Sequence, residues 1–207
     1  MITIEFARAL YPTDADSAHD FDHVLRVVAL ADRIAQSEGA DRDVVHAAAL
    51  LHDIGLDEGR AGHATSAAKR AKDILSAQGY DESFCNAVAH AIEAHRFRSG
   101  PTPQTLEAQV LFDADKLDAI GAIGVARAFA FGAHRGQKLW GVVPPDYVDL
   151  PEGADPSQHT AVHEFHVKLN KIKERLFTAT GKQIAAERHA FMVAFYEQLD
   201  REVTGAQ

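Results

Sequence analysis

Apolar residues recur in this chain at three- and four-residue steps over most of its length, which confines it to a fold of amphipathic helices. Phe21, Val24, Leu25, Val28, Ala31, Ile34 and Ala35 form one such stripe and predict a helix from Ser17 to about Ser37. Gly39 stops it, and Asp41 offers an N-cap to a second helix carrying Val44, Val45, Ala48 and Leu51 and ending at Gly55. His52 and Asp53 then fall in its last turn. Further helices are expected over 64–78 and 82–95, with a long one from Thr105 to about Phe131 whose stripe is rich in Ala and Gly. Residues 132–158 are rich in Gly and Pro and hold Trp140, the only tryptophan, so they read as an irregular excursion long enough to form a lid. Helical pattern returns over 159–177 and 182–203. No segment alternates at strand period, so the prediction is an all-α, single-domain bundle over 1–207. Its motif-bearing region is 17–131, its excursion 132–158, and its C-terminal helices lie within 159–203.

Composition narrows the chemistry. Cys85 is the only cysteine, which excludes an intrachain disulfide and any thiolate-rich metal cluster, so metal chemistry must use nitrogen and oxygen. Twelve histidines are present in 207 residues. The formal charge of −9 carries no basic block, which weighs against a nucleic-acid-coating surface and against a polybasic membrane contact. No run of 18 apolar residues occurs, and the first fifteen residues lack a basic region followed by an apolar one. A soluble, cytoplasmic protein is expected.

The small, apolar stretch 47–51 puts His52-Asp53 at the inner end of a buried helix, where such a pair is costly unless partners or a metal satisfy it. Asp115 interrupts an otherwise apolar helix in the same way, with Asp113 and Asp118 beside it, and His23 enters the stripe of the first helix. Alone, each is more often a hydrogen-bonded structural group. Together, four nitrogen and oxygen donors on three helices form a set that only folding can bring to one point, as in metal sites of bundle cores.

These residues resemble the HD-domain metal-dependent phosphohydrolases. The resemblance rests on His23-Val24-Leu25-Arg26-Val27, on 49–55 around His52-Asp53, and on 113–124 around Ala114-Asp115-Lys116-Leu117. It also takes in 90–97 and Thr180-Gly181-Lys182-Gln183-Ile184-Ala185, which are similar to a subgroup of small bacterial members. It covers roughly 17–203. It implies that His23, His52, Asp53 and Asp115 are the metal ligands, Asp113 and Asp118 being flanking competitors for the last place. A two-histidine, two-carboxylate set suits Mn, Fe, Co, Ni or Mg, with Zn less natural.

The implied reaction is hydrolysis of a phosphoester or phosphoanhydride in a small phosphorylated substrate, a nucleotide first among them, with release of phosphate or pyrophosphate. His52 and Asp53 would act at the metal, and Lys116, Arg26 and Arg96, each adjoining a motif, would answer the phosphoryl charge. His63 is a candidate for catalysis, for phosphate binding or for a second metal, and His90 and His95 for similar roles. His90 and His95 are five residues apart, about 140° around a helix, so one ion would be hard for both to reach. Some relatives place a Glu three residues after the motif Asp. Leu56 stands there, and the general base is unassigned. The alternatives are a di-iron oxygenase of the same fold and a non-catalytic nucleotide-binding module; a monomer or homodimer is expected.

Three further signals carry no function. Gly181-Lys182 lacks the first glycine and the Ser or Thr of a phosphate loop. His163-Glu164 lacks the second histidine of a zinc-protease motif, and His159, His163 and His166 read as a partly exposed helix face. Cys85 reads as a packed small hydrophobe.

Overall fold

The computed structural model describes residues 2–11, 21–54, 63–96, 101–148 and 155–206. Among them every regular element is helical and no strand forms, as the periodicity predicts. No described helix is long and apolar enough to cross a membrane. The chain divides into two compact units, Met1–Lys116 with Leu176–Gly181, and Leu117–Arg175 with Lys182–Gln207.

The first unit contains α1 (Ile4–Arg8), α2 (Phe21–Glu38), α3 (Arg42–Leu51), α4 (His63–Ala77), α5 (Glu82–Ala94) and α6 (Leu106–Asp118) up to Lys116. Punctuation between them is local chemistry. Gly39 and Gly79 adopt left-handed φ of 77° and 83° that end α2 and α4. Asp41 and Asp81 then cap the next helices, their carboxylates accepting from Val44 N and Phe84 N at 3.2 and 2.9 Å. Val44, Val45 and 47–51 are all buried, which makes α3 the central helix, packed against α2 and α5.

Residues 176–181 join this unit through a buried carboxylate. Asp113 is fully buried and accepts from Phe177 N at 2.9 Å, Thr178 N at 2.8 Å and Thr178 Oγ1 at 2.7 Å. Thr178 Oγ1 in turn accepts from Gly181 N at 2.9 Å in the first turn of α9 (Ala179–Thr204). Glu38 Oε1 accepts from Thr180 N at 2.6 Å. The Thr-Gly-Lys stretch is thus an anchor rather than a phosphate loop, and Asp113 is committed to it.

The second unit contains α7 (Gly121–His134), a 3-10 turn at Pro156–Gln158, α8 (Ala161–Val167), a 3-10 helix at Leu169–Arg175, and α9 from Lys182 onward. Two expectations change here. The single helix predicted over 105–131 is two helices, α6 and α7, because Ile120 is extended and Gly121 takes a left-handed φ of 77°. The broken end is held from within the unit: Arg127 bonds both Asp118 O and its carboxylate, and Arg188 bonds Leu117 O. Asp118 is therefore occupied by Arg127, at 2.7 Å. Glycine in an apolar stripe is compatible with either a helix or a break, and these long-range bonds decide it.

The helix predicted over 159–177 is likewise α8 followed by a 3-10 segment. His163 is buried rather than part of an exposed face, because it closes a capping box with Thr160, and Tyr147 Oη bonds His159 Nδ1 at 2.8 Å. Residues 135–148 of the excursion are irregular, as expected.

A methyl group on Gly181 would run into Asp113 Oδ2 and Thr178 Oγ1, both held in the anchor. Gly181→Ala is expected to destabilise the protein by about 1–3 kcal/mol in urea unfolding, the range for forced overpacking. An unchanged unfolding midpoint would show that the anchor yields without cost.

Candidate metal centre

Helix ends deliver the polar side chains of the first unit to one place. His23 stands in the first turn of α2, His52 at the C-cap of α3 with Asp53 just beyond the helix, and His63 is the first residue of α4. His95 is the C-cap of α5 and Asp115 lies in the last turn of α6. All but Asp115 are buried.

The last carbonyls of a helix lack intrahelical partners, and at α3 side chains supply them. His52 Nδ1–H donates to Ala49 O at 2.8 Å, Tyr11 Oη donates to Leu50 O at 3.0 Å, and Arg70 donates to Ile54 O. The bond to Ala49 leaves the lone pair of His52 on Nε2. That atom is fully shielded from water, makes no hydrogen bond, and lies 3.4 Å from Asp53 Oδ2. His95 repeats the device, its Nδ1–H donating to Ile92 O while Nε2 faces Asp53 Oδ1 at 3.7 Å.

The Asp53 carboxylate is the hub. Its Oδ2 faces His52 and His23, at 3.4 and 3.8 Å, and its Oδ1 faces His63 and His95, at 3.4 and 3.7 Å. His23 Nε2 is also 3.4 Å from Asp115 Oδ1. Two donor groups result, His23, His52 and Asp115 on one side and Asp53, His63 and His95 on the other, each with its atoms within 4.8 Å of one another. A buried lone pair aimed at a carboxylate oxygen leaves both acceptors unsatisfied, and a cation between them satisfies both. The donor set fits a divalent ion with nitrogen and oxygen ligands.

The HD-domain family model matches residues 20–120, the segment that carries His23, His52, Asp53 and Asp115. The Bacillus subtilis protein YpgQ is 35% identical over 197 residues, covering 93% of this chain and 88% of YpgQ. The chain belongs to the HD-domain family. Among solved HD structures, an HD-superfamily hydrolase of Bacillus thuringiensis superposes with a TM-score of 0.76 at 31% identity, covering 99% of this chain and 95% of that one. YpgQ in complex with ADP superposes with a TM-score of 0.76 at 30% identity, covering 99% of this chain and 100% of that one.

The predicted residues fall in three classes. His23, His52, Asp53 and Asp115 converge, and His63 and His95 join them. Lys116 and Arg96 border the cluster, Lys116 paired with Asp115 and 5.4 Å from the centre of the Phe112 ring, and Arg96 donating to His63 Nδ1 at 2.7 Å. Arg26 is half-buried one turn along α2 from His23. His90 stands apart, accepting from Gln104 N at 3.3 Å. Leu56, Asp57 and Glu58 lie outside the described residues.

Tyr11 was not legible in the sequence. Besides holding Leu50 O, its hydroxyl oxygen faces the Asp53 main-chain N–H, so it fixes the HD turn from a segment about forty residues away. Burial, and after it the Asp53 charge, push this phenol well above its usual range, so it stays a neutral donor.

Burial alone would raise the carboxyl groups of Asp53 and Asp115, yet the neighbours outweigh it. His52, His63 and His95 hold Asp53 below the usual carboxylate range, and Lys116 and His23 hold Asp115 well below it. Burial, helped by His52, pushes the His95 imidazole down to about 4 from 6.5. Between those values the unfolded chain binds a proton that the folded chain does not, so folded stability is lost as pH falls through that window. The metal-free protein is expected to lose on the order of 2 kcal/mol from this group between pH 7 and pH 5. That loss is read as a fall of several degrees in the melting temperature, and His95→Asn should flatten the slope. A slope unchanged in that variant would contradict the assignment.

Proposed function

We propose that this chain is a metal-dependent phosphohydrolase acting on a small phosphorylated substrate, a nucleotide first among them. The observation that carries the reading is the convergence of His23, His52, Asp53 and Asp115, all but the last buried, around the unbonded Nε2 of His52, with Lys116 and Arg96 at its border. Membership of the HD family and the likeness to YpgQ, solved with ADP, support the choice of bond and substrate.

In this reading His23, His52, Asp53 and Asp115 hold a divalent ion, one of Mn, Fe, Co, Ni or Mg. When bound, such an ion polarises a phosphate oxygen and makes water a competent nucleophile near neutral pH. The chain's own contributions are separable. The bond from His52 Nδ1 to Ala49 O orients the ring so that Nε2 is aimed inward. Lys116, Arg96 and Arg26 neutralise charge gathering on the phosphoryl oxygens, which a protein of net charge −9 must do locally. His63 and His95 line the Oδ1 side of Asp53, where they would contact the substrate's phosphates. A di-iron oxygenase is the second reading, and it rests on the second donor group of Asp53, His63 and His95.

Purified protein is expected to carry a divalent metal and to release phosphate or pyrophosphate from at least one nucleotide in a panel assayed with Mn²⁺, Co²⁺, Ni²⁺ and Mg²⁺. Asp53→Ala should abolish metal retention and lower turnover by at least about 10³-fold, since it removes a ligand and unpairs the buried imidazoles. Metal bound with no phosphorylated compound turned over would reject the hydrolase, and oxygen consumption with two irons per chain would favour the oxygenase.

A further inference from the structure

The second unit has a cleft of about 510 Å³ that the phosphohydrolase reading does not use. Its lining residues all belong to that unit, and none is part of the metal centre. One wall is the irregular segment around Trp140 and Val142, and the rest is made mainly by α8 and α9. The volume is that of a small-molecule site. Histidines that read in the sequence as a partly exposed helix face hold the irregular wall in place. Tyr147 bonds His159 Nδ1 at 2.8 Å, His159 Nε2 meets Glu164 Oε2 at 3.1 Å, and the His163 ring bonds the Val142 main chain.

The interior of the cleft is aromatic. Phe165 and Tyr196, both buried, stack with ring centroids 4.3 Å apart, and Trp140 is half-buried in the irregular wall. The Tyr196 hydroxyl is shielded from water and has no hydrogen-bond partner, a state it shares among the described residues only with His52 Nε2 of the metal centre. Glu164, whose charge it feels, is engaged by His159 and by Lys168, the latter at 2.8 Å. Burial, and after it that charge, hold the phenol well above its usual range, so it is a neutral donor that lacks an acceptor. The charged groups of the cleft are of one sign. Glu197 and Asp200 are exposed carboxylates, and no described lining residue is Lys or Arg. A phosphate would meet repulsion there and no counter-charge, so the cleft does not suit a nucleotide.

We propose that this cleft binds a small organic cation with an aromatic body. Its positive end lies against Glu197 and Asp200, its ring packs on Trp140 and Phe165, and an acceptor at its far end takes the Tyr196 hydroxyl. Trp140 adds to the preference for positive charge, since an indole face attracts cations. The hydroxyl is sealed beneath the lining, so occupancy must shift neighbouring side chains, and Trp140, the only tryptophan, reports that shift.

The probe is para-(aminomethyl)benzamide, which joins an ammonium, a benzene ring and an amide carbonyl. Titrated into the intact chain at low salt, it should bind one-to-one by calorimetry and shift Trp140 emission, and added salt should weaken it. Its anionic counterpart, para-carbamoylbenzoate, should bind at least about tenfold more weakly, because attraction at the two carboxylates becomes repulsion. Glu197→Gln combined with Asp200→Asn should lower affinity for the ammonium several-fold and erase the preference over the anion. Tyr196→Phe should also lower it several-fold, yet unfold in urea at no lower midpoint than the wild type, because it deletes an unpaired group. Both variants should keep the metal content and nucleotide turnover of the wild type, which separates a failure here from a failure of the hydrolase reading. No saturable binding of the ammonium, equal binding of the anion, or unchanged affinity in either variant would overturn the proposal. A lower unfolding midpoint for Tyr196→Phe would do the same by showing that the hydroxyl already has a partner. ADP shifting Trp140 emission more strongly than the ammonium would make the cleft a nucleotide subsite instead. An emission that shifts with protein concentration alone, as the chain self-associates, would make it an interface between copies.

Discussion

A carboxylate taken out of water must be answered by positive charge, hydrogen bonds or a cation, and in the first unit the carboxylate in question is Asp53. Four imidazoles surround it, brought by α2, α3, α4 and α5, and the Asp115 carboxylate of α6 stands behind one of them. Few apolar substitutions there would be neutral, because the four imidazoles that face Asp53 are themselves buried polar groups that would lose a partner. The convergence is over-supplied with acceptors: two carboxylates face imidazole nitrogens of which His52 and His95, at least, point lone pairs inward. That excess is what makes a cation the natural completion of the site.

Helix termini are the means of construction. A donor in mid-helix would have to displace core, whereas a terminus brings unsatisfied backbone groups that can orient it. His52 and His95 are both C-caps bonding a carbonyl three residues back, so the same local geometry that ends the helix also sets the tautomer. Tyr11 completes the end of α3 from the N-terminal segment. Asp113 does the corresponding work at the start of α9, where one fully buried carboxylate orders residues 176–181, only two positions before Asp115 on α6. Of three acids within six residues, two are thereby spent on architecture, Asp113 on this anchor and Asp118 on Arg127.

Much of this could be read from the chain before folding was considered. Helical period and caps such as Asp41 and Asp81 depend on neighbours within a turn, so the all-α class and the positions of α2 to α5 were legible. The spacing of His23, His52-Asp53 and Asp115 marked the centre, because buried polar residues in apolar runs need a reason. What failed were boundaries set by distant partners. The break between α6 and α7 depends on arginines at 127 and 188, and the anchoring role of the Thr-Gly-Lys stretch depends on Asp113, far away in sequence.

The amino-acid sequence by itself thus determined that helices would form and where most would begin and end, and it marked His23, His52, Asp53 and Asp115 as donors set in apolar helices, since those follow from local propensity and from the cost of burying charge. The tertiary structure alone decided that Asp113 and Asp118 are held by other partners, that Tyr11 reaches the turn at Asp53, that His95 joins the cluster while His90 does not, and which nitrogen of His63 faces the centre. These depend on directions of side chains from separate helices, and a direction in space is not a property of residue type or spacing. Arg96 follows His95 directly in the chain, yet its bond to His63 exists only because α4 and α5 pack together.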